Sequence, residues 1–207
     1  MDISNKVLYH KYVKLLELGT GFWWQWVGCN IGGFLFSLVL IEIGERTDIN
    51  IFEGMLGGAV IGIAQSFALR KKFRGRAWWV FVNIVSWGLL AITGIGAIGW
   101  MAPKTQIIPL RIVYGILNGT LAGGGIGFAQ WLLLKRQIPQ AWRWILAMSM
   151  AWAIGLAIGW TFGGVLRLAT GLFLGDVIGL GIAWSVVGGI TGIALIILLR
   201  DAVFGDR

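Results

Sequence analysis

The sequence predicts an all-α, polytopic membrane protein of about six transmembrane helices, arranged as three tandem, parallel two-helix repeats with a period of about 65 residues. Three observations lead there. Of 207 residues, 57 % are hydrophobic and only 13 % charged, about half the charge a soluble domain carries (roughly 25 %). The charges are also segregated: Ile31–Ile41, Trp78–Met101, Ile112–Leu134 and Val177–Leu199 contain no Asp, Glu, Lys or Arg. Long apolar runs read as membrane-crossing, because about 20 residues at 1.5 Å rise span roughly 30 Å of hydrocarbon. Finally, the chain shifted by 65 residues superposes on itself.

Taken in order, residues 1–21 form the first element. Ile3, Val7, Leu8, Tyr12, Leu15 and Leu16 fall on one helical face and Lys6, Lys11 and Lys14 on the other, which predicts an amphipathic segment along the inner membrane surface. The segment lacks the continuous apolar core and cleavage site of a signal peptide, so it is expected to remain on the mature chain. A single transmembrane domain, 22–200, follows. Its six expected spans are Phe22–Ile43, Ile51–Leu69, Trp78–Met101, Ile108–Leu134, Ala141–Gly163 and Val177–Leu199, grouped as repeats 22–76, 77–140 and 141–200. Trp23, Trp24, Trp78, Trp79, Trp142 and Trp144 open the odd-numbered spans and suit an interfacial aromatic belt. The stretch "GVLRLATGLFLGD", 164–176, is too apolar for an ordinary loop and is expected to form an interfacial helix or to lengthen the sixth span. Residues 201–207 make a short cytoplasmic tail.

Orientation follows from the basic residues. Thirteen of the 17 Lys and Arg lie on the side holding both termini and the connections "RKKFRGRA" and "KRQIPQA"; the other side holds Arg46, Lys104, Arg111 and Arg167. The positive-inside rule places both termini in the cytoplasm. The net charge of +8 therefore reads as an inner rim attracted to anionic headgroups, and nucleic acid is not an expected partner because there is no soluble basic domain.

The repeat is carried by "GAVIGIAQSFALRK" from Gly58, "GGGIGFAQWLLLKR" from Gly123 and "GGITGIALIILLRD" from Gly188. Gly58 and Gly62, Gly123 and Gly127, and Gly188 and Gly192 form a G-x-x-x-G pair in each unit, with Gly54 and Gly119 extending the row in the first two. In lipid, small residues one turn apart let helix backbones approach closely, so these six glycines are helix-packing candidates. Trp79 matches Trp144 and Trp87 matches Trp152 at the same shift, while "WVGCNI" matches "WVFVNI" at a shift of 53. Two helices per unit return the chain to its starting side, which predicts three parallel units about a pseudo-threefold axis rather than an inverted repeat.

No charge lies at the centre of any span, which argues against a proton pump, a voltage sensor or a retinal protein. The uncharged polar residues within the spans include Gln25, Thr93, Thr120, Thr161 and Thr191. Gln65 and Gln130 occupy one repeat position, where the third unit has Leu195; Asn30 and Asn83 are also equivalent. These four, with Asn118, are either interhelical hydrogen-bonding residues or a candidate polar pocket between units. The acids of "EIGERTDINIFE", Glu42, Glu45, Asp48 and Glu53, lack EF-hand order and read as solvated loop charge.

The remaining chemistry is thin. One cysteine, Cys29, and one histidine, His10, are too few for a disulfide, a multi-histidine metal site or a hydrolytic triad, so neither catalysis nor a cofactor is expected. Pigment ligation generally uses histidine, and the only one is N-terminal. "GIGAIG", with Gly94, Gly96 and Gly99, has no preceding strand and lies in an expected helix, so it is not a dinucleotide fingerprint. The "GIAQ" and "GFAQWLLLKR" blocks, each followed by a Trp-rich helix, resemble uncharacterised multi-pass membrane proteins of cyanobacteria and other bacteria; the resemblance implies a bacterial plasma or thylakoid membrane setting and no assigned activity. The expected role is a non-enzymatic accessory or scaffold subunit that docks to other membrane proteins, to itself or to lipids through its Gly-rich helix faces. The alternatives are a small-solute transporter or channel, and a lipid- or pigment-binding protein.

Overall fold

The computed structural model describes residues 19–43, 49–93 and 95–204. The amphipathic segment expected at the N-terminus, His10 and the acidic loop residues Glu45 and Asp48 lie outside the described residues. Among the described residues six α-helices follow one another: α1 Thr20–Ser37, α2 Ile51–Ala68, α3 Arg76–Ile92, α4 Ile108–Leu134, α5 Arg143–Thr170 and α6 Leu174–Phe204, with a 3-10 turn, Leu69–Lys71, after α2. Four of them, α2, α4, α5 and α6, are long and apolar enough to cross a membrane. α3 is apolar but only 17 residues long, about 26 Å at 1.5 Å per residue.

Local chemistry explains the boundaries. Asn50 and Glu53 make a reciprocal capping box at the start of α2, satisfying two orphan amides. Pro109 sits in the first turn of α4, where its missing N–H costs nothing. Gly171, at φ +72°, closes α5, its N–H donating to the Arg167 carbonyl at 2.8 Å, a left-handed terminus that glycine adopts without a Cβ penalty. The stretch 164–176 is thus the last turns of α5, the Gly171 turn and the start of α6, not an interfacial helix; the sixth helix is also lengthened at its C-terminal end, through Phe204 and into the expected tail.

Two expected spans are too long. α1 stops at Ser37, whose hydroxyl donates to the Phe34 carbonyl at 2.6 Å. α3 stops at Ile92 rather than Met101, because Gly96, at φ +77°, leaves the helical region within a glycine-rich stretch. The described part of "GIGAIG", residues 95–99, therefore belongs to a non-helical connection, not to a helix. That connection dips into the bundle: Ala97, Ile98 and Trp100 are buried. Its Gly99 carbonyl accepts from the Trp184 indole at 2.9 Å, ten residues or about 15 Å into α6. The Met101 carbonyl accepts from Trp160 at 3.0 Å, and Trp100 donates to Ser37 at 2.6 Å. Irregular backbone survives at this depth because protein donors replace the water it lacks.

Each helix packs against the next, and α6 returns to pack on α1, so the six close into a ring. The α3–α4 seam is the sparsest and the α4–α5 seam the most extensive. The outward belt is apolar, with Ile63, Phe67, Phe81, Leu121, Phe128, Phe162 and Ile193 all more than half exposed, while Asn30, Gln65, Asn83, Gln130 and Thr191 are buried. Apolar outside and polar inside reverses the usual soluble arrangement.

Candidate functional site

The helix-packing glycines lie where backbones meet. A Cβ on Gly58 would come within 2.5 Å of the Asn83 carbonyl oxygen, and one on Gly62 within 2.9 Å of the Val80 Cα. Gly123 and Gly127 stand in the same way against Met148 and Ile145 of α5. Gly188 and Gly192 face α1, but at side chains: 3.2 Å to the Asn30 Cβ and 2.9 Å to the Trp23 ring. All six glycines therefore face helices of this same chain. A further set, Gly155, Gly159 and Gly163 of α5 against Gly179, Ala183 and Gly175 of α6, escaped the sequence reading. Its signal was present in the four-residue spacing.

These close approaches bring the polar residues to the ring's interior. Gln65 donates to Asn30 Oδ1 at 3.0 Å and accepts from Trp79 Nε1 at 3.0 Å. Gln130 donates to Asn83 Oδ1 at 3.2 Å and accepts from Trp144 Nε1 at 2.8 Å. Asn30 and Asn83 each donate back to the carbonyl four residues earlier, Trp26 and Trp79. Four of the five sequence candidates thus form two matched chains. The fifth, Asn118, stays half-buried on α4, twelve residues or about 18 Å along the helix from Gln130. Thr191 joins instead, accepting from Trp26 Nε1 at 3.0 Å while its hydroxyl donates to the Val187 carbonyl.

The indoles in these bonds correct the aromatic-belt expectation. Trp79 and Trp144 are wholly buried, as is Trp26, and Trp23 donates to the Gly189 carbonyl at 2.9 Å; only Trp24, Trp78 and Trp142 of the six face outward. Trp26, Trp79 and Trp144 form a triangle with ring centroids 6.4–6.5 Å apart. Deeper along the ring, Trp87, Trp152 and Trp184 form a second triangle at 4.9–5.9 Å, joined by Trp100. Between the layers, the space lined by Asn30, Gln65, Asn83, Gln130 and Thr191 is about 10 Å³, close to the minimum for one water.

A second polar cluster was missed. Arg111 had read only as an outer-side charge near the start of the fourth span, yet its side chain and that of Asp176 are fully buried and paired at 2.5 Å, with Arg167 on the other carboxylate oxygen at 2.8 Å. Arg111 also donates to the carbonyls of Thr105, Trp160 and Pro103 and to Gln106. A buried guanidinium is tolerated only when its fork is satisfied in this way. The cluster pins the non-helical connection, α4, α5 and α6 together at one end of the ring. Among the described residues, no three His, Cys, Asp or Glu side chains converge as metal ligands.

Two buried polar atoms among the described residues have no partner, Trp152 Nε1 and Ser86 Oγ. Ser86 lines a groove of about 720 Å³ on the outer surface between α3 and α4, within the size range of ligand pockets (about 300–1,000 Å³). No protein-family model, curated protein or solved structure matches the chain.

Proposed function

We propose that this chain is a non-enzymatic integral membrane protein acting as an accessory or scaffold subunit, which docks to other membrane proteins through its outer apolar belt. The carrying observation is that the interior is spent on itself: the axis is filled by two tryptophan layers, and Gln65, Gln130, Asn30 and Asn83 satisfy one another. The Gly-rich faces face the chain's own helices, so the belt takes over the docking role expected of them.

The same reading makes the chain three parallel two-helix units about a pseudo-threefold axis, with both termini cytoplasmic. Three regularities support it. The G-x-x-x-G face of each second helix meets the first helix of the next unit, α2 on α3, α4 on α5 and α6 on α1. Trp26, Trp79 and Trp144, the aligned tryptophans of the three first helices, meet around one point. The third unit replaces an interacting pair together, Met148 for the asparagine and Leu195 for the glutamine, with Thr191 taking over as the indole's acceptor. Thirteen basic residues against four support the orientation, and the resemblance to bacterial and cyanobacterial multi-pass proteins supports the setting.

Purification in a mild detergent tests the role: a stoichiometric membrane-protein partner is expected. Against a solute path along the axis stand the two aromatic layers. Purified protein that runs alone and gives proteoliposome flux, lost in the Gln65→Leu/Gln130→Leu double variant, would overturn the scaffold reading in favour of a transporter.

A further inference from the structure

We propose that the groove between α3 and α4 holds one anionic phospholipid, its phosphate at Arg136 and the uncapped start of α3, and an acyl chain along the groove. The inference rests on the membrane reading above but not on the scaffold role.

The groove has a sequence cause. Its floor is made of small or short residues, Val82 and Ser86 on α3 and Gly125 and Ala129 on α4, while Trp78, Phe81, Phe128 and Leu132 stand as its rim. A Cβ on Gly125 would meet nothing within 4 Å, so α4 faces open space there. From Trp78 to Thr93 the lining covers fifteen residues of rise, about 22 Å of a hydrocarbon layer roughly 30 Å thick. An elongated chain fits this shape better than a compact solute.

Charge decides the headgroup. Arg136 lines one end of the groove, the end that carries the basic connections. α3 begins there at Gly75 with no side-chain cap, so its first amides are unsatisfied donors where helix polarity favours an anion. Trp78, on the same rim and 62 % exposed, suits the headgroup level. The position matching Arg136 in the third unit is the acidic Asp201, paired with Arg143 at 3.3 Å, so the Lys135–Arg136 basic pair is not repeated at the end of α6.

Ser86 supplies the discriminator. Its hydroxyl is buried, unpartnered and on the groove floor, about 12 Å deeper along α3 than Trp78. That is below the ester level of a phospholipid held at Arg136. An occupant with a carbonyl at mid-depth, such as an isoprenoid quinone, would depend on Ser86; a phospholipid would not.

The test is native mass spectrometry of the full chain with phosphatidylglycerol and phosphatidylcholine of identical acyl chains. One bound phosphatidylglycerol is expected, preferred roughly fivefold over phosphatidylcholine, the effect of about one basic residue near a headgroup. Arg136→Gln should bring that preference close to unity. Gly125→Leu, which adds its side chain to open space, should abolish retention of both lipids while helicity by circular dichroism stays unchanged. Equal retention of the two lipids by the wild type, or full retention by Gly125→Leu, overturns the proposal. Loss of binding in Ser86→Ala with none in Arg136→Gln also overturns it, in favour of a carbonyl-bearing amphiphile. Membrane fractionation separates the premises: a chain absent from the membrane pellet sinks the membrane reading itself, whereas a membrane-bound chain without lipid preference sinks only this inference.

Discussion

The two Gln–Asn–Trp chains permit a test in which one substitution changes sign with its background. Gln130 bridges Asn83 at 3.2 Å and Trp144 at 2.8 Å. Gln130→Leu removes two hydrogen bonds, about 0.6 kcal/mol each in a membrane interior, and orphans the Trp144 indole N–H and the Asn83 side-chain Oδ1. An unsatisfied buried group costs about 1–3 kcal/mol, so with two such groups a destabilisation of about 2–6 kcal/mol is expected. The third unit shows how such a site is made without glutamine: Met148, Leu195 and Thr191 stand where the second unit has Asn83, Gln130 and Ile126.

Asn83→Met added to Gln130→Leu should therefore cost less than the sum of the two single changes, with a coupling of about 1 kcal/mol. Adding Ile126→Thr to that pair should recover stability, because the new hydroxyl can accept from Trp144 as Thr191 accepts from Trp26 at 3.0 Å. In the wild-type background the same Ile126→Thr should destabilise by about 1 kcal/mol or more, since Ile126 is 1 % exposed and a hydroxyl there replaces apolar contact. Reversible unfolding in mixed micelles, followed by tryptophan fluorescence, reads all five proteins. Ile126→Thr acting with the same sign in both backgrounds, or strict additivity of the Asn83 and Gln130 changes, would refute the reasoning and with it the proposed equivalence of the units.

Three further outcomes are expected. Asp176→Asn should destabilise by about 3–5 kcal/mol, because it leaves Arg111 buried and Arg167 without their shared carboxylate; thermal unfolding in detergent measures it, and a loss below 1 kcal/mol would mean that the pair carries no structural weight. Gly58→Ala should cost about 1–3 kcal/mol, its Cβ colliding with the Asn83 carbonyl, while Gly125→Ala, with nothing within reach, should be neutral or stabilise by up to about 1 kcal/mol through helix propensity; matching losses at both sites would contradict the packing described. Single cysteines placed at Gln137 and Leu172 in a Cys29→Ser background should label with a membrane-impermeant maleimide only from the inner and only from the outer side respectively, and the reverse pattern would invert the proposed orientation.

How much of this was legible in the sequence depends on which interactions are periodic. The four-residue glycine rows announce themselves, because a missing side chain is needed at every turn of a close seam. The equivalence of Gln65 with Gln130 and of Asn30 with Asn83 was equally readable. Their indole partners were not, because Trp79 and Trp144 neighbour the outward Trp78 and Trp142 in sequence and only the helix phase separates belt from core. The end of α3 was misjudged for a related reason: apolar composition continues through Ile98 and Trp100, yet Gly96 turns the chain inward and the indoles of Trp184 and Trp160 supply the donors that make this tolerable.

The buried Arg111–Asp176 pair is the most instructive omission, because its two members lie 65 residues apart. The shift that superposes the glycines also lays Arg111 on Asp176. Under the proposed equivalence of the units, residues at one repeat position converge toward a common level, so opposite charges there are already placed to meet. Asp176 meets two cations there, Arg111 and Arg167, in a medium that screens weakly, so removing the carboxylate would leave like charges unopposed. The same argument covers the joint change to Met148 and Leu195: a polar residue that has lost its partner in such an interior is costly, so the two positions exchange together or not at all. If the proposed units are equivalent, a departure from the repeat is as informative as the repeat itself, as Arg111 and Asp176 show by marking a pair that the fold brings into contact.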